Sequence, residues 1–371
     1  MILTYLNVPD HRHDQEHRDY APQLARDLTV AYAGHRQMEY DDLTLLLLPW
    51  LTRRKTPMQH MRLLFMLGLG ALRSGSHALT LQYVADAMTV ARYIEDPGAF
   101  VVLAKLAASA CYDMQLFGQA YRYTVQTLSA LGALSPDDVD ARVRYQVYER
   151  LAIDSFLLAR YDESLVFLQQ AHTLIGQHSW DRERARWHWI DAQVLRWRRE
   201  FKRAFQAIEL VQEYYETSPD LMERGRFHGV HAEITLDCAE LAMQTTDRPQ
   251  LLKIAERHCH AALDDTRLSQ DLAGEGLAFL AQARLSRSIP QIMGDHEYID
   301  RAAAIAERLH DIPLLAQVWT ARGDSMRWHG NFSAAQQCYQ ETLTILKHSD
   351  AQAYRQKSER ILLLGQEMEV G

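Results

Sequence analysis

The sequence predicts an all-α protein, an α-solenoid of stacked antiparallel helical hairpins. Three observations predict it. Apolar residues recur three and four positions apart almost throughout, which is the period of an amphipathic helix. Strand signals are weak, and no alternating run flanks an Asn-Gly or Asp-Gly turn. Short breaks recur at regular intervals: SGSH from Ser74, EDPG from Glu95, LSPDD from Leu134, IGQHSWD from Ile175, TSPD from Thr217, TTDRP from Thr245, SIPQIMGD from Ser288, HDIP from His310 and WHGN from Trp328. Many pair Gly or Pro with a capping Ser, Thr, Asp or Asn, so each closes one helix and opens the next.

Taken in order, residues 1–20 form a polar leader and 21–371 a single helical-repeat domain. The leader lacks the basic start, apolar run and small-residue cleavage site of a signal peptide. Weak helical pairs cover Pro22 to Tyr93. The apolar runs LTLLLLPWL (Leu43 to Leu51) and LLFMLGLGAL (Leu63 to Leu72) fall here. Both are far short of the roughly 20 residues that span a bilayer. The glycines of LGLGAL sit inside a helical run and not after a strand, so they serve close helix packing and not dinucleotide binding. Hairpins then follow from Ala104 through Val211, and Arg226 to Leu263 and Leu272 to Leu309 read as helical pairs with longer turns.

The clearest hairpin is VWTARGDSMRWHGNFSAAQQCYQETLTIL, from Val318. Small residues at Gly323 and Ala335 let two helices approach closely, and Trp319, Phe332 and Tyr339 are large enough to fill the space around that contact. This unit resembles a tetratricopeptide repeat: an aromatic and a small residue on the first helix, then Gly, aromatic, Ala and aromatic after the turn. It departs from the pattern at Arg322, Met326 and Thr342. Weaker copies match at Tyr148, Leu151, Ala152, Tyr161 and Ala171, at Ala192, Phe201 and Ala204, and at Ala108, Phe117 and Ala120, with Ser164 and Asp191 as departures. Repeats of this kind imply a right-handed superhelix whose first helices line a concave groove. A lone hairpin cannot bury its apolar stripe, whereas stacked hairpins bury a continuous core.

Bulk properties narrow the function. The 371 residues carry a formal net charge of −8, with 47% apolar and 24% charged residues. An acidic chain is a poor match for a polyphosphate partner, which needs a basic field. Cys111, Cys238, Cys259 and Cys338 are scattered without a CxxC pair, which fits small buried hydrophobes in a reducing, cytoplasmic compartment. No P-loop or GxSxG motif is present, no cofactor is expected, and the chain reads as a non-enzyme.

Two histidine motifs bear on chemistry. HDQEH, His13 to His17, satisfies a zinc-protease HxxEH pattern, with Glu16 placed as a general base. It lies in the polar leader, without the rigid surroundings that metal ligands need. In HCH, His258 to His260, adjacent helical positions splay about 100° apart, too far to converge on one ion. Cys259 is expected in the core and the two histidines outside it.

RARWHWIDAQVLRWRREF, from Arg184 to Phe201, is the densest candidate site. Between Arg182 and Arg203 stand eight Lys or Arg against three acids. The repeat register set by Ala192 puts Arg186, Trp189, Gln193 and Arg196 on one stripe, which the resemblance implies is groove-facing, with Trp187, Val194 and Leu195 toward packing. By the same register Gln146, Glu149, Ile153 and Phe156 fall on one side of the same groove, with Lys105, Ser109 and Tyr112 further along and Thr320, Asp324 and Arg327 at the far end. Such a mixed lining suits a peptide or protein segment held by aromatic anchors and Arg hydrogen bonds. The chain has only two asparagines, Asn7 and Asn331, so backbone clamping by Asn, common among such repeats, falls to Arg, Gln and Tyr.

The sequence therefore reads as a protein- or peptide-binding regulatory, sensor or scaffold module. In length and repeat degeneracy it resembles tetratricopeptide sensors of the peptide-pheromone type. The leader is too short for a helix-turn-helix, so direct DNA binding is not expected. No membrane partner is expected, and homo-oligomerisation stays open. The alternatives are a single-strand RNA binder, which would need basic and stacking residues in every repeat, and a metal-dependent hydrolase using the leader motif.

Overall fold

The computed structural model describes residue 27 and residues 40–53, 55–135, 139–243, 245–289 and 294–369. All regular structure among them is helical. The leader, with the HDQEH motif, lies outside the described residues. Contacts divide the chain into two compact units, Met1–Asp154 and Ser155–Gly371.

In unit 1, α1 (Tyr40–Leu47) runs into a 3-10 turn at Leu48–Trp50. Two hairpins follow, α2 (Pro57–Arg73) with α3 (His77–Tyr93) and α4 (Pro97–Asp113) with α5 (Phe117–Gly132), and then α6 (Ala141–Leu157), in which the division between units falls. The starts are locally encoded. Thr56 and Gln59 form a reciprocal capping box ahead of Pro57, and the Asp96 side chain caps the helix that opens with Pro97. Val84, Ala87, Met88 and Ala91 of α3 pack between Met61 and Leu64 of α2 and Leu103, Ala104 and Ala107 of α4. Gly68 of the LGLG run is buried, and a Cβ there would stand 3.1 Å from Val84, so this glycine does permit close packing.

Unit 2 continues with α7 (Tyr161–Ile175), α8 (Asp181–Trp197), α9 (Phe201–Glu209), the short α10 (Gln212–Glu216), α11 (Leu221–Leu241), α12 (Arg248–Leu268), α13 (Leu272–Ser288), α14 (Asp295–Leu309), α15 (Ile312–Trp328), α16 (Phe332–Ile345) and α17 (Gln352–Glu369). Helices α11 and α12 form the long pair expected from Arg226 to Leu263, and α13 and α14 the next. In the hairpin of α15 and α16, a Cβ at Gly323 would lie 2.5 Å from the Tyr339 ring, so only glycine fits beneath that aromatic. Phe332, expected beside it in the packing, is instead 50% exposed at the start of α16, where the first turn of the helix meets solvent.

One turn recurs. Among the described residues, at eight helix ends a residue with positive φ is followed by an amide bonded five residues back, as in Leu116 N to Cys111 O (2.8 Å), Arg160 N to Ser155 O (2.8 Å), Glu200 N to Leu195 O (2.9 Å) and Asn331 N to Met326 O (2.8 Å). This is the Schellman closure. Glycine serves it at Gly75 and Gly330, but Glu95, Gln115, Ala159, Arg199, Gln270 and His310 adopt it with a side chain. Each of these six carries the left-handed penalty of about 1 kcal/mol, accepted because the chain must reverse there into the next helix.

Candidate binding site

The residues singled out in the sequence fall in both units. In unit 1, Lys105 and Tyr112 lie on α4 and Glu149 on α6. The Lys105 ammonium donates to Gln146 Oε1 (2.7 Å), joining the two helices, and the Tyr145 hydroxyl donates to Glu149 (3.1 Å). The Arg150 guanidinium stacks on the Tyr112 ring at 4.1 Å and donates to Ala108 O (3.2 Å). Below them Asp154 is fully buried, accepting from Arg150 (3.0 Å) and Thr124 (3.0 Å). Burial outweighs both partners and pushes its carboxyl up to about 6.

In unit 2, α8 carries the stripe of Arg186, Trp189, Gln193 and Arg196. The two arginines reach α11: Arg186 donates to Glu223 (3.1 Å), as does Arg182 (2.6 Å), and Arg196 bonds both Glu233 and Asp237 (2.5 Å to the latter). Gln193 is half-buried and bonds no described residue. Trp189 is half-buried, packed edge-on to Tyr215 (ring centroids 5.8 Å apart), and its indole N–H is buried without a hydrogen-bond partner among the described residues. Trp187 sits in packing, its indole donating to Leu168 O (2.7 Å). Phe156 is buried at 8% exposure, edge-on to Trp197 (5.7 Å). At the far end Thr320 is buried, and Asp324 accepts from the Tyr339 hydroxyl (2.8 Å).

The Arg196 bridge is one rung of a ladder that sequence reading missed. Arg284 of α13 donates to Asp237 (2.6 Å), to Glu240 (2.8 Å) and to Glu233 (3.3 Å). Guanidinium, carboxylate pair and guanidinium thus alternate across α8, α11 and α13. Burial alone would raise Asp237, but Arg196 and Arg284 hold its carboxyl down to about 2, and Glu233 is lowered for the same reasons. The sequence held a signal: opposite charges recur 41 residues apart from Arg196 to Asp237 and 47 from Asp237 to Arg284. The unassigned register of 226–309 concealed it.

The first helices α11, α13, α15 and α17 adjoin in order, with α8 beside α11. Yet the Trp197 ring at the end of α8 meets Tyr354 of α17 edge-on at 5.2 Å. First and last members of a row can touch only if the row curls back on itself. The ladder therefore lies inside the curl. Lys357 of α17 shares this interior, its ammonium 5.7 Å from the Trp197 ring, among the fields of Arg196, Glu233, Asp324 and Arg284.

A second polar cluster contradicts the expectation for HCH. His258 is buried at 1% exposure, not outside the core. Its Nδ1 lies 2.8 Å from Nδ1 of His228, and its ring stacks on His231 at 3.8 Å. The 21-residue helices α11 and α12 pack along their full length, which turns this face of α12 inward. His231 bonds Glu209 (2.9 Å) and Thr235 (3.1 Å). Burial lowers His228 to about 4, and burial with the two neighbouring imidazoles lowers His258 to about 2. His260 is exposed, and Cys259 is buried as expected.

Among the described residues no group of three or more His, Cys, Asp or Glu is placed to hold a metal ion, and no helix is long and apolar enough to cross a membrane. The arrangement in unit 2 is a curled row of helices with a charged interior beside the Trp197–Tyr354 contact.

Comparison with known proteins places the fold. No family model matches the sequence, and no curated protein matches it. Solved structures do share the architecture. Aspartyl phosphate phosphatase F from Bacillus subtilis is similar with a TM-score of 0.65 at 12% identity, over 92% of this chain and 87% of that one. The apo quorum sensor NprR from B. thuringiensis gives 0.64 at 12% identity, over 91% and 89%. A Rap protein complexed with competence and sporulation factor gives 0.59 at 10% identity, over 94% and 99%. The chain thus has a tetratricopeptide-like helical-repeat fold and shares the architecture of these three structures.

Proposed function

We propose that the chain is a peptide-binding regulatory module that holds a short peptide or protein segment inside the curl of unit 2. The observation that carries this reading is the interior itself, where charged side chains from α8, α11, α13 and α17 meet beneath the aromatic contact of Trp197 and Tyr354. A charged interior with an aromatic edge offers directional hydrogen bonds and a flat apolar anchor, the two things an extended peptide needs. Architecture shared with a quorum sensor and with a Rap protein complexed with competence and sporulation factor supports the same reading. Within it, Gln193 and the solvent-facing edges of Arg186 and Arg196 line the peptide path on α8, with Trp189 as backing. Lys105, Tyr112 and Glu149 form the corresponding stripe of unit 1. The RNA alternative loses its main support, because Arg186 and Arg196 are bonded to carboxylates and do not stand free for phosphate.

The test is retention of short synthetic peptides by the intact protein, read by mass spectrometry after gel filtration. Trp197→Ala is expected to lower the affinity of retained peptides at least about tenfold, the effect of losing an aromatic anchor, with helix content by circular dichroism unchanged. Retention of no peptide by the wild-type protein would defeat the proposal.

A further inference from the structure

We propose that Lys357 is the anchor for a carboxylate of the bound peptide, a step that rests on the peptide-binding reading above and gives the ligand a charge. The geometry isolates this residue. Arg196 is engaged by Glu233 and Asp237, and Arg284 by Glu233, Asp237 and Glu240. Asp324 accepts from the Tyr339 hydroxyl. Lys357 stands among these groups, yet among the described residues no carboxylate comes within 4.0 Å of its ammonium. Its one described partner is the face of the Trp197 ring.

An ammonium in such a place has three N–H donors and no acceptor. Burial, reinforced by Arg196, lowers its proton affinity, and an incoming carboxylate would reverse that. The surroundings also select the anion. Glu233, Asp237 and Asp324 repel a multiply charged phosphate, whereas one ammonium matches one negative charge. A cationic ligand group would have to displace Arg196 or Arg284 from carboxylates already bonded to them. Trp197 and Tyr354, in contact with each other beside Lys357, provide a flat wall against which the residue bearing the carboxylate can lie.

A carboxylate can come from the peptide C-terminus or from an Asp or Glu side chain, and the experiment separates the two. The intact protein is incubated with a random pentapeptide pool carrying free C-termini, and retained peptides are identified by mass spectrometry. Retained sequences are resynthesised in three forms: unchanged, C-terminally amidated, and with Asp and Glu replaced by Asn and Gln. Affinities are read by fluorescence polarisation. Loss of the anchoring carboxylate is expected to weaken binding at least about tenfold, the scale of a charge-assisted hydrogen bond. Lys357→Gln should abolish that difference, and Lys357→Arg should keep it.

The wild-type protein supplies a second readout that does not depend on the folding of a variant. After reductive 13C-methylation, the dimethyl resonance of Lys357 should move on adding the carboxylate peptide and stay in place with its neutral counterpart. If peptides bind but their carboxylates do not matter, or if the difference persists in Lys357→Gln, the anchor is wrong while the peptide reading stands. If no peptide is retained, both fall.

Discussion

The two units use the same hairpin and the same left-handed turn, yet neighbouring first helices are joined differently. In unit 1, α4 and α6 are linked by a lysine–amide bond and by Arg150 on a carbonyl, while the buried Asp154 of α6 ties to Thr124 of α5. In unit 2, α8, α11 and α13 are joined by guanidinium–carboxylate bridges that share acceptors. In a stacked-repeat protein, stability is a sum of repeat terms and nearest-neighbour interface terms. The backbone architecture thus leaves the chemistry of each interface free. Unit 1 uses pairs that act singly, and unit 2 a network whose members depend on one another.

Removing Arg284 should produce the largest effect. Arg284→Met strips a half-shielded cation from Glu233, Asp237 and Glu240, and should cost about 3 kcal/mol, the scale of a broken buried pair. Lys105→Met in unit 1 should cost less than about 1 kcal/mol, since it removes one bond near solvent. Urea denaturation of both variants measures this, and equal costs would erase the contrast between the units.

Acidification should move α11 and α12 and the surroundings of Asp154 in opposite directions. His228 ordinarily titrates near 6.5 but is held at about 4 in the fold, so between those values the unfolded chain takes up the proton first. Stability of α11 and α12 is then lost as pH falls from 6.5 toward 4, and His258, lowered further, extends the loss. Asp154 ordinarily titrates at 3.8 but stands at about 6 in the fold, so here the folded state takes up the proton first. Its surroundings gain stability as pH falls from 6 toward 3.8. Hydrogen exchange, corrected for the intrinsic pH dependence, should therefore accelerate in α11 and α12 and slow in α4 to α6. A uniform response along the chain would contradict this assignment.

The smallest effect should be shared. Gln115→Gly in unit 1 and Ala159→Gly in unit 2 each relieve a left-handed side chain, against the extra freedom that glycine gives the unfolded chain. A net gain of about 0.5 kcal/mol is expected at both, seen as a small rise in melting temperature. A gain at one site only would mean that the two turns are not equivalent after all.

Much of the fold was legible because its signals are local. Pro57 after a Thr56–Gln59 box, Pro97 after Asp96, and Gly330 before Phe332 mark helix starts and stops within a few residues of sequence. The candidate site was legible only in part. The stripe on α8 could be aligned, but nothing in RARWHWIDAQVLRWRREF says that its arginines are met by carboxylates about forty residues on. His258 reads as a surface residue beside Cys259 until α11 packs along α12 and encloses it.

The sequence by itself determined the all-helical class, the hairpin rhythm and the small residues at close approaches, because propensity, capping and steric size act between near neighbours along the chain. Tertiary structure decided which charges pair, which histidines are buried and that Trp197 meets Tyr354. Those contacts join residues from 27 to 157 positions apart. Their geometry follows from the accumulated rotation of one hairpin on the next, which no short stretch of sequence contains.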